Sequence, residues 1–137
     1  MAFITWSDEL YSIKNKEIDT QHQHLVSLVN RMHESVVNGL ERSALAQVLE
    51  ELIDYTVYHF RSEEALFGKN NYPQLEPHKQ QHDALTGQVL KLQEEFNEGS
   101  ATISYEVLDF LHDWLTHHMA SSDRGFLHYM ESKNSVI

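Results

Sequence analysis

Two histidines stand four residues apart in the segment PHKQQH, residues 77–82. Side chains four apart on an α-helix lie on one face, about 5–6 Å from each other. That spacing lets the imidazole nitrogens of His78 and His82 converge on one transition-metal ion, and it equally suits an ordinary solvated helix. Pro77 lacks a backbone N–H, which is typical of the first turn of a helix. Whether the pair binds a metal therefore depends on the other ligands that the chain brings to it.

Four more side chains with metal-ligand chemistry occupy positions where a soluble helix bundle would carry Leu or Val: His22, His59, Glu63 and His118. An unpaired polar group in a core costs roughly 1–3 kcal/mol, so these groups must satisfy one another or bind an ion. Asp123 is a further candidate. It follows His118 at a spacing that corresponds to about 140° around a regular helix, so a helix end or a π-bulge is needed to bring it inward.

Four amphipathic segments with apolar residues three and four apart must position these side chains. Breaks rich in Gly, Asn, Ser or Pro separate them, and the predicted helices span about residues 18–40, 44–67, 75–97 and 105–120. Alternating runs that would predict strands do not extend beyond the segment FITW. We therefore predict an all-α fold, an up-down-up-down antiparallel four-helix bundle in one domain over residues 1–137, with an N-terminal arm and a short C-terminal segment.

The order of the candidates along the helices predicts that they meet in one layer. His22 is early in the first helix, Glu63 late in the second, His82 early in the third and His118 late in the fourth. In an antiparallel bundle, early and late positions on successive helices lie at the same end. Five imidazoles and one or two carboxylates exceed what one ion needs. The pattern therefore indicates two ions bridged by carboxylate.

The ligand types restrict the metal chemistry. The segment HKQQH lacks the glutamate beside its first histidine that would act as the base of a zinc protease. Di-iron enzymes rich in carboxylates use paired Glu-x-x-His motifs, and Leu66 stands at that spacing from Glu63. Neutral imidazoles make a two-ion site less anionic and should stabilise a reduced ferrous pair. Such a site suits reversible oxygen binding better than oxidation of a substrate.

Composition excludes several other classes of function. The chain has 21 acidic and 10 basic residues, a formal charge of −11, which disfavours nucleic acid and anionic membranes as partners. It has no cysteine, which excludes disulfides and thiolate metal sites. The N-terminus lacks the pattern of a signal peptide, and no segment approaches the ~20 apolar residues of a membrane span. We expect a cytoplasmic protein.

Four segments together resemble the bacterial hemerythrin family over nearly the whole chain: IDTQHQHL (18–25), YTVYHFRSEE (55–64), YPQLEPHKQQH (72–82) and WLTHHMASSD (114–123). The resemblance implies a single hemerythrin-like domain with a non-haem di-iron centre, oxo- or hydroxo-bridged, that binds O2. It implies that three histidines hold one iron: His78, His82 and His118. It implies that His22 and His59 hold the other iron, and that the carboxylates of Glu63 and Asp123 bridge the two. Ligand counting then leaves the two-histidine iron with an open position, where O2 would bind as hydroperoxide.

The leading functional hypothesis is therefore reversible O2 binding for storage, delivery or sensing, and not enzymatic turnover. One alternative is a di-iron enzyme acting on peroxide or nitric oxide. Others are a domain that senses O2 or redox state, cut out of a larger signalling protein, and an iron store with labile binding. We expect a monomer, and a sensor would act through a signalling or redox partner protein.

The remaining polar and aromatic residues near the motifs receive weaker assignments. Five histidines are predicted to lie at the surface or at the edge of the core: His24, His33, His112, His117 and His128. Glu64 is predicted to face water. Trp114, one turn before His118, and Tyr55, one turn before His59, are candidates to wall the site or to hydrogen-bond near it. Met119 stands where the family usually has an aliphatic residue, and its flexible side chain would alter access if it lines the site.

Overall fold

Helices account for most of the computed structural model, which describes residues 3–133. They are α1 (Asp8–Tyr11), α2 (Lys16–Val37), α3 (Arg42–Lys69), α4 (Leu75–Glu98), α5 (Tyr105–His117) and α6 (Arg124–Ser132), with a π-helical turn, His118–Asp123, joining the last two. No strand occurs within residues 3–133, and none of the helices there is long and apolar enough to cross a bilayer. The predicted C-terminal segment is thus mostly α6, and its residues 134–137 lie outside the described range.

Local chemistry sets the ends of the long helices. Asn15 begins α2, where its side-chain carbonyl accepts the backbone N–H of Ile18 at 3.0 Å. Gly39 has a φ of 67°, a left-handed conformation that suits glycine after a helix. For this reason α2 ends at Val37, three residues before the predicted end, and α3 (Arg42–Lys69) extends two residues beyond its prediction on each side.

The four long helices form the bundle that the sequence predicts. Helix α3 packs on α2 and on α4, and α5 closes the bundle against α2. Short connections make consecutive helices antiparallel, so a side chain early in α2 meets one late in α3. The 3.1 Å distance between His22 Nε2 and Glu63 Oε2 shows this meeting directly.

Two apolar clusters divide the interior. The main cluster fills most of the bundle and includes Leu25, Phe60, Leu85 and Leu115. A smaller cluster closes one end and includes Ile18, Phe67, Tyr72 and Phe126. On α2, His22 lies between a member of each cluster. A polar layer is therefore enclosed between two apolar ones.

The N-terminal arm is fastened to the bundle by polar contacts to its backbone. The Arg124 guanidinium donates to the carbonyls of Glu9 and Leu10, the latter at 3.3 Å. The side-chain amide of Asn30 pairs with both backbone groups of Ile4 at 2.7 and 2.9 Å. These contacts hold α1 beside the π-helical turn.

Gly125 of α6 is the position where the packing leaves least room. A β-carbon there would stand 2.7 Å from the Tyr72 hydroxyl oxygen. The Tyr72 ring packs on Phe67 and Phe126 at centroid distances of 5.2 and 5.4 Å, so the hydroxyl does not swing aside freely. We expect Gly125→Ala to lower the free energy of unfolding by about 1–3 kcal/mol, the usual effect of overpacking, as measured by urea denaturation.

Gly87 of α4 provides the matched control, because a β-carbon there would meet no atom within 4 Å. Gly87→Ala should leave stability unchanged or raise it by up to about 1 kcal/mol. Adding Tyr72→Phe to the Gly125→Ala variant removes the clashing oxygen and should recover most of the loss. A Gly125→Ala protein as stable as the wild type would contradict this account of the packing.

Candidate metal centre

Seven buried side chains form the polar layer between the two apolar clusters. They are His22, His59, Glu63, His78, His82, His118 and Asp123, each no more than 4% exposed. The structure thus brings together all seven side chains that the sequence offers as candidate metal ligands. Their ligand atoms fall into a three-histidine group (His78, His82 and His118) and a two-histidine group (His22 and His59), and Glu63 and Asp123 belong to both.

In the three-histidine group, the Nε2 atoms face one another and the carboxylates. Nε2 of His82 lies 3.1 Å from Nε2 of His118 and 3.1 Å from Oε1 of Glu63. Nε2 of His78 lies 2.6 Å from the same oxygen. Oδ1 of Asp123 lies 3.1 Å from Nε2 of His78 and of His118. A six-coordinate ion with bonds of about 2.1 Å holds neighbouring ligand atoms about 3 Å apart, which is close to this spacing.

The two-histidine group uses the other oxygen of each carboxylate. Nε2 of His22 lies 3.1 Å from Oε2 of Glu63 and 2.9 Å from Oδ2 of Asp123. Nε2 of His59 lies 3.2 Å from Oε2 of Glu63. Each carboxylate therefore directs one oxygen to each group, as a carboxylate that bridges two ions through both of its oxygens does.

The π-helical turn brings Asp123 into the layer. Residues five apart on a regular α-helix point about 140° away from each other. The i→i+5 hydrogen bonding of a π-helix widens the turn and returns the fifth residue toward the starting face. His118 begins this turn and Asp123 ends it. Both side chains are consequently buried in the same layer.

Some atoms of the layer face one another without a hydrogen bond. Both carboxylate oxygens of Asp123 and Nδ1 of His22 make no hydrogen bond to any other described residue. Yet the Asp123 oxygens lie within 3.1 Å of three imidazole nitrogens. Lone pairs that converge in this way, from imidazole and carboxylate donors, fit first-row transition-metal ions. The residues present therefore suit a metal centre.

Comparison with known proteins agrees with this geometry. The family model described as the Hemerythrin HHE cation binding domain matches residues 14–129. This chain belongs to the hemerythrin family. The bacteriohemerythrin of Methylococcus capsulatus is 35% identical over 124 residues, which cover 90% of this chain and 94% of that protein. The bacteriohemerythrin of Pseudomonas aeruginosa is 33% identical over 127 residues, 93% of this chain and 81% of that protein.

A solved structure extends the similarity to the fold. The crystal structure of a wild-type hemerythrin is 34% identical in sequence and superposes with a TM-score of 0.87. The superposition covers 91% of this chain and 95% of that one. The four-helix bundle described above is therefore the hemerythrin fold.

Protonated imidazoles balance the two carboxylates in the metal-free hemerythrin. Burial alone lowers the pKa of His22, but the neighbouring Asp123 and Glu63 outweigh burial and raise it to about 10. At His78 burial likewise lowers the pKa, and the same two carboxylates outweigh burial and raise it to about 9. At His59 burial prevails, and the pKa is lowered.

The imidazoles in turn lower the pKa values of the two carboxylates. Burial raises the pKa of Glu63, but the neighbouring imidazoles of His59, His118 and His22 bring it well below its usual value. For Asp123, burial and the Glu63 charge raise the pKa, and His118 and His22 lower it more strongly. Both carboxylates are therefore held ionised. Metal ions would take over from protons as the counter-charge.

Aromatic rings of the hemerythrin core cover the imidazoles of the three-histidine group. The Phe60 ring stacks on His82 at a centroid distance of 3.7 Å and an angle of 2°. Trp114 stacks on His118 at 4.4 Å and 13°, so it walls the site from the position that the sequence suggests. Phe67 meets His78 edge-on at 4.8 Å.

Two side chains behind the layer were not apparent from the sequence pattern. Glu64 is predicted to face water, but the structure places its Oε2 atom 2.8 Å from Nδ1 of His82, with the side chain 21% exposed. Gln21 is buried, and its Oε1 atom lies 2.7 Å from Nδ1 of His59. The only signal in the sequence is that a Gln falls next to His22 and a second Glu falls next to Glu63.

The other histidines lie outside both ligand groups: His24, His33, His112, His117 and His128. The ring of the exposed His24 lies tilted against the Tyr55 ring at a centroid distance of 4.2 Å. His33 stacks on Phe3 of the arm at 4.1 Å. Met119 is completely buried and packs in the main apolar cluster.

We expect the metal-free protein to lose stability as the pH rises from 6.5 toward 10. The folded-state pKa values of about 10 for His22 and about 9 for His78 exceed the ordinary value of 6.5. Their contribution to stability is therefore complete below pH 6.5 and is lost as the pH rises through 9 and 10. Urea denaturation with a chelator present, at pH 6, 8 and 10, measures this decline.

Zinc-loaded protein is the control, because metal ions then replace the protons and the alkaline decline should be absent. His24→Ala removes an exposed histidine and should leave the pH dependence of the unfolding free energy of the metal-free protein unchanged. A metal-free protein whose stability is constant or increases between pH 6.5 and 10 would refute the assigned charge balance.

Proposed function

We propose that this hemerythrin binds two iron ions and takes up O2 reversibly at the pair, for storage, delivery or sensing. The observation that carries the proposal is that Glu63 and Asp123 each direct one oxygen to each histidine group. Imidazole and carboxylate together suit iron, and the chain has no cysteine to offer a thiolate. As a sensor, the chain would act through a signalling or redox partner.

The protein ligands divide unequally between the two ions. On this proposal the three-histidine group holds one iron, the two-histidine group holds the other, and Glu63 and Asp123 bridge them. The protein then offers five ligand atoms on one side and four on the other. We therefore assign the uptake of O2 to the side of His22 and His59. When bound, a ferrous pair supplies the electrons that O2 accepts on uptake and gives back on release.

The surrounding residues favour reversible uptake over turnover. Phe60, Phe67 and Trp114 cover the imidazoles and help to keep water from the layer. An enzyme acting on peroxide or nitric oxide needs a proton donor at the site. On this proposal Glu63 and Asp123 are both metal ligands, and a carboxylate that binds a metal is ionised. The two buried carboxylates therefore do not provide that donor.

The decisive experiment combines iron content with absorption spectra. Protein loaded anaerobically with ferrous iron is measured in the reduced state, then in O2, then after O2 is removed. We expect two irons per chain and a visible charge-transfer band that appears with O2 and disappears without it. Two irons with irreversible oxidation would overturn reversible binding and favour an enzyme or a redox sensor. Variable iron content would favour a metal store.

Adjacent histidines on α5 and the π-helical turn test the ligand assignment. His118 is buried among the ligand atoms, whereas His117 is exposed and belongs to neither group. We expect His118→Ala to hold fewer than two irons per chain and to lose the O2-dependent band. His117→Ala should retain both. Equal iron content in the two variants would contradict the assignment of His118.

A further inference from the structure

Glu64 contacts a histidine of the centre from behind. It follows Glu63 on α3, but its Oε2 atom lies 2.8 Å from Nδ1 of His82, on the side of the ring away from the other ligand atoms. The Glu64 side chain is 21% exposed, so it lies at the rim of the layer and is partly shielded from water. The proposed uptake of O2 does not involve this contact.

The contact suits the form of His82 that a metal ion needs, in which Nδ1 carries the hydrogen. Nε2 of His82 faces Oε1 of Glu63 and Nε2 of His118, so it is the nitrogen that a metal ion would use. A neutral imidazole offers a lone pair on one nitrogen and an N–H on the other. An ionised carboxylate accepts hydrogen bonds and donates none. Glu64 therefore favours the form of His82 that has N–H at Nδ1 and a free Nε2.

The same contact also restricts the ring. The Phe60 ring covers one face of His82 at 3.7 Å, nearly parallel to it. This stacking restricts the tilt of the imidazole but permits rotation within its own plane. The bond to Glu64 at the ring edge opposes that rotation. Together the two contacts hold His82 in one orientation.

The two-histidine group has a neutral counterpart of this contact. Nδ1 of His59 lies 2.7 Å from Oε1 of Gln21, which is an amide oxygen. A carboxylate behind a metal-binding histidine makes the imidazole a stronger donor than a neutral acceptor does. The structure therefore places the charged partner behind the three-histidine group and the neutral partner behind the two-histidine group.

We propose that Glu64 is a positioning residue of the metal centre, which fixes His82 for binding through Nε2 and stabilises ferric iron in the three-histidine group. This inference rests on the proposed metal centre. On the same argument, Gln21 orients His59 through its neutral amide oxygen. The ferric state is thereby favoured on the side of His82 over the side of His59.

The test separates the hydrogen bond from the charge. Glu64→Gln keeps an acceptor oxygen and removes the charge, whereas Glu64→Leu removes both. Glu50→Gln is the matched control, because Glu50 is an exposed carboxylate on the same helix, about 21 Å away along its axis at 1.5 Å per residue. Thermal unfolding verifies that each variant is folded before further measurement.

The first measurement is the release of zinc to a chelator from the zinc-loaded proteins. We expect Glu64→Leu to release zinc about 10- to 100-fold faster than the wild type, the usual effect of losing such a partner. Glu64→Gln should remain close to the wild type, and so should Glu50→Gln. Equal release from all four proteins would overturn the positioning role.

The second measurement is the reduction potential of the iron-loaded proteins, titrated with ferricyanide and dithionite. Loss of the carboxylate charge should raise the potential in both Glu64→Gln and Glu64→Leu, and leave it unchanged in Glu50→Gln. Gln21→Glu adds a negative charge behind His59 and should lower the reduction potential. An unchanged potential in Glu64→Gln would overturn the role of the charge.

A third measurement distinguishes failure of this inference from failure of the proposed function. Proton and nitrogen NMR of the zinc-loaded proteins reports whether the Nδ1 hydrogen of His82 is hydrogen-bonded, through its downfield shift and its slow exchange with water. We expect that hydrogen bond in the wild type and in Glu64→Gln, and its loss in Glu64→Leu. The same spectrum in all three would overturn the inference, even if the wild type binds two irons. Failure of the wild type to bind two irons, with the zinc-loaded spectra as expected, would refute the proposed iron centre alone.

Discussion

Glu63 and Asp123 carry two negative charges into a layer where neither side chain has any exposed surface. An ionised carboxylate in an apolar interior is tolerated only where positive charge lies beside it. The imidazoles supply that charge when protonated, or bind metal ions that supply it. The apolar clusters on both sides prevent the layer from opening to water. This requirement explains the register of the helices, the short connections and the π-helical turn. Together they bring imidazoles from successive helices into contact with the two carboxylates.

Helix α3 contributes most to meeting this requirement. His59 and Glu63 lie one turn apart and face the layer, and Phe60 covers the imidazole of His82 from the same helix. Glu64 lies about 100° around the helix from Glu63, which brings it to the rim of the layer instead of its centre. Two adjacent glutamates thus have different environments: one carboxylate lies among the ligand atoms, and the other bonds the far side of a ligand.

Much of this arrangement was predictable from the sequence. Apolar spacing predicts the helices, and the alternation of early and late positions predicts that the histidines meet. The inward turn of Asp123 depends on i→i+5 hydrogen bonding that no spacing specifies, so residue pattern alone left it open. The sequence does not predict the contacts of Glu64 and Gln21, because each depends on the position of a neighbouring helix. The predicted end of α2 is wrong, because Gly39 adopts its left-handed conformation before the predicted boundary.

The differences between the two histidine groups reinforce each other under the proposed function. The three-histidine group offers one more protein ligand, and a carboxylate stands behind His82. Both features favour a ferric ion there, because each adds electron density around it. The two-histidine group has fewer ligands and only the amide of Gln21 behind His59. It therefore has more room for an incoming molecule and less tendency to remain oxidised. An asymmetric pair of this kind suits reversible uptake, since one ion stabilises the oxidised state while the other stays open for binding and release.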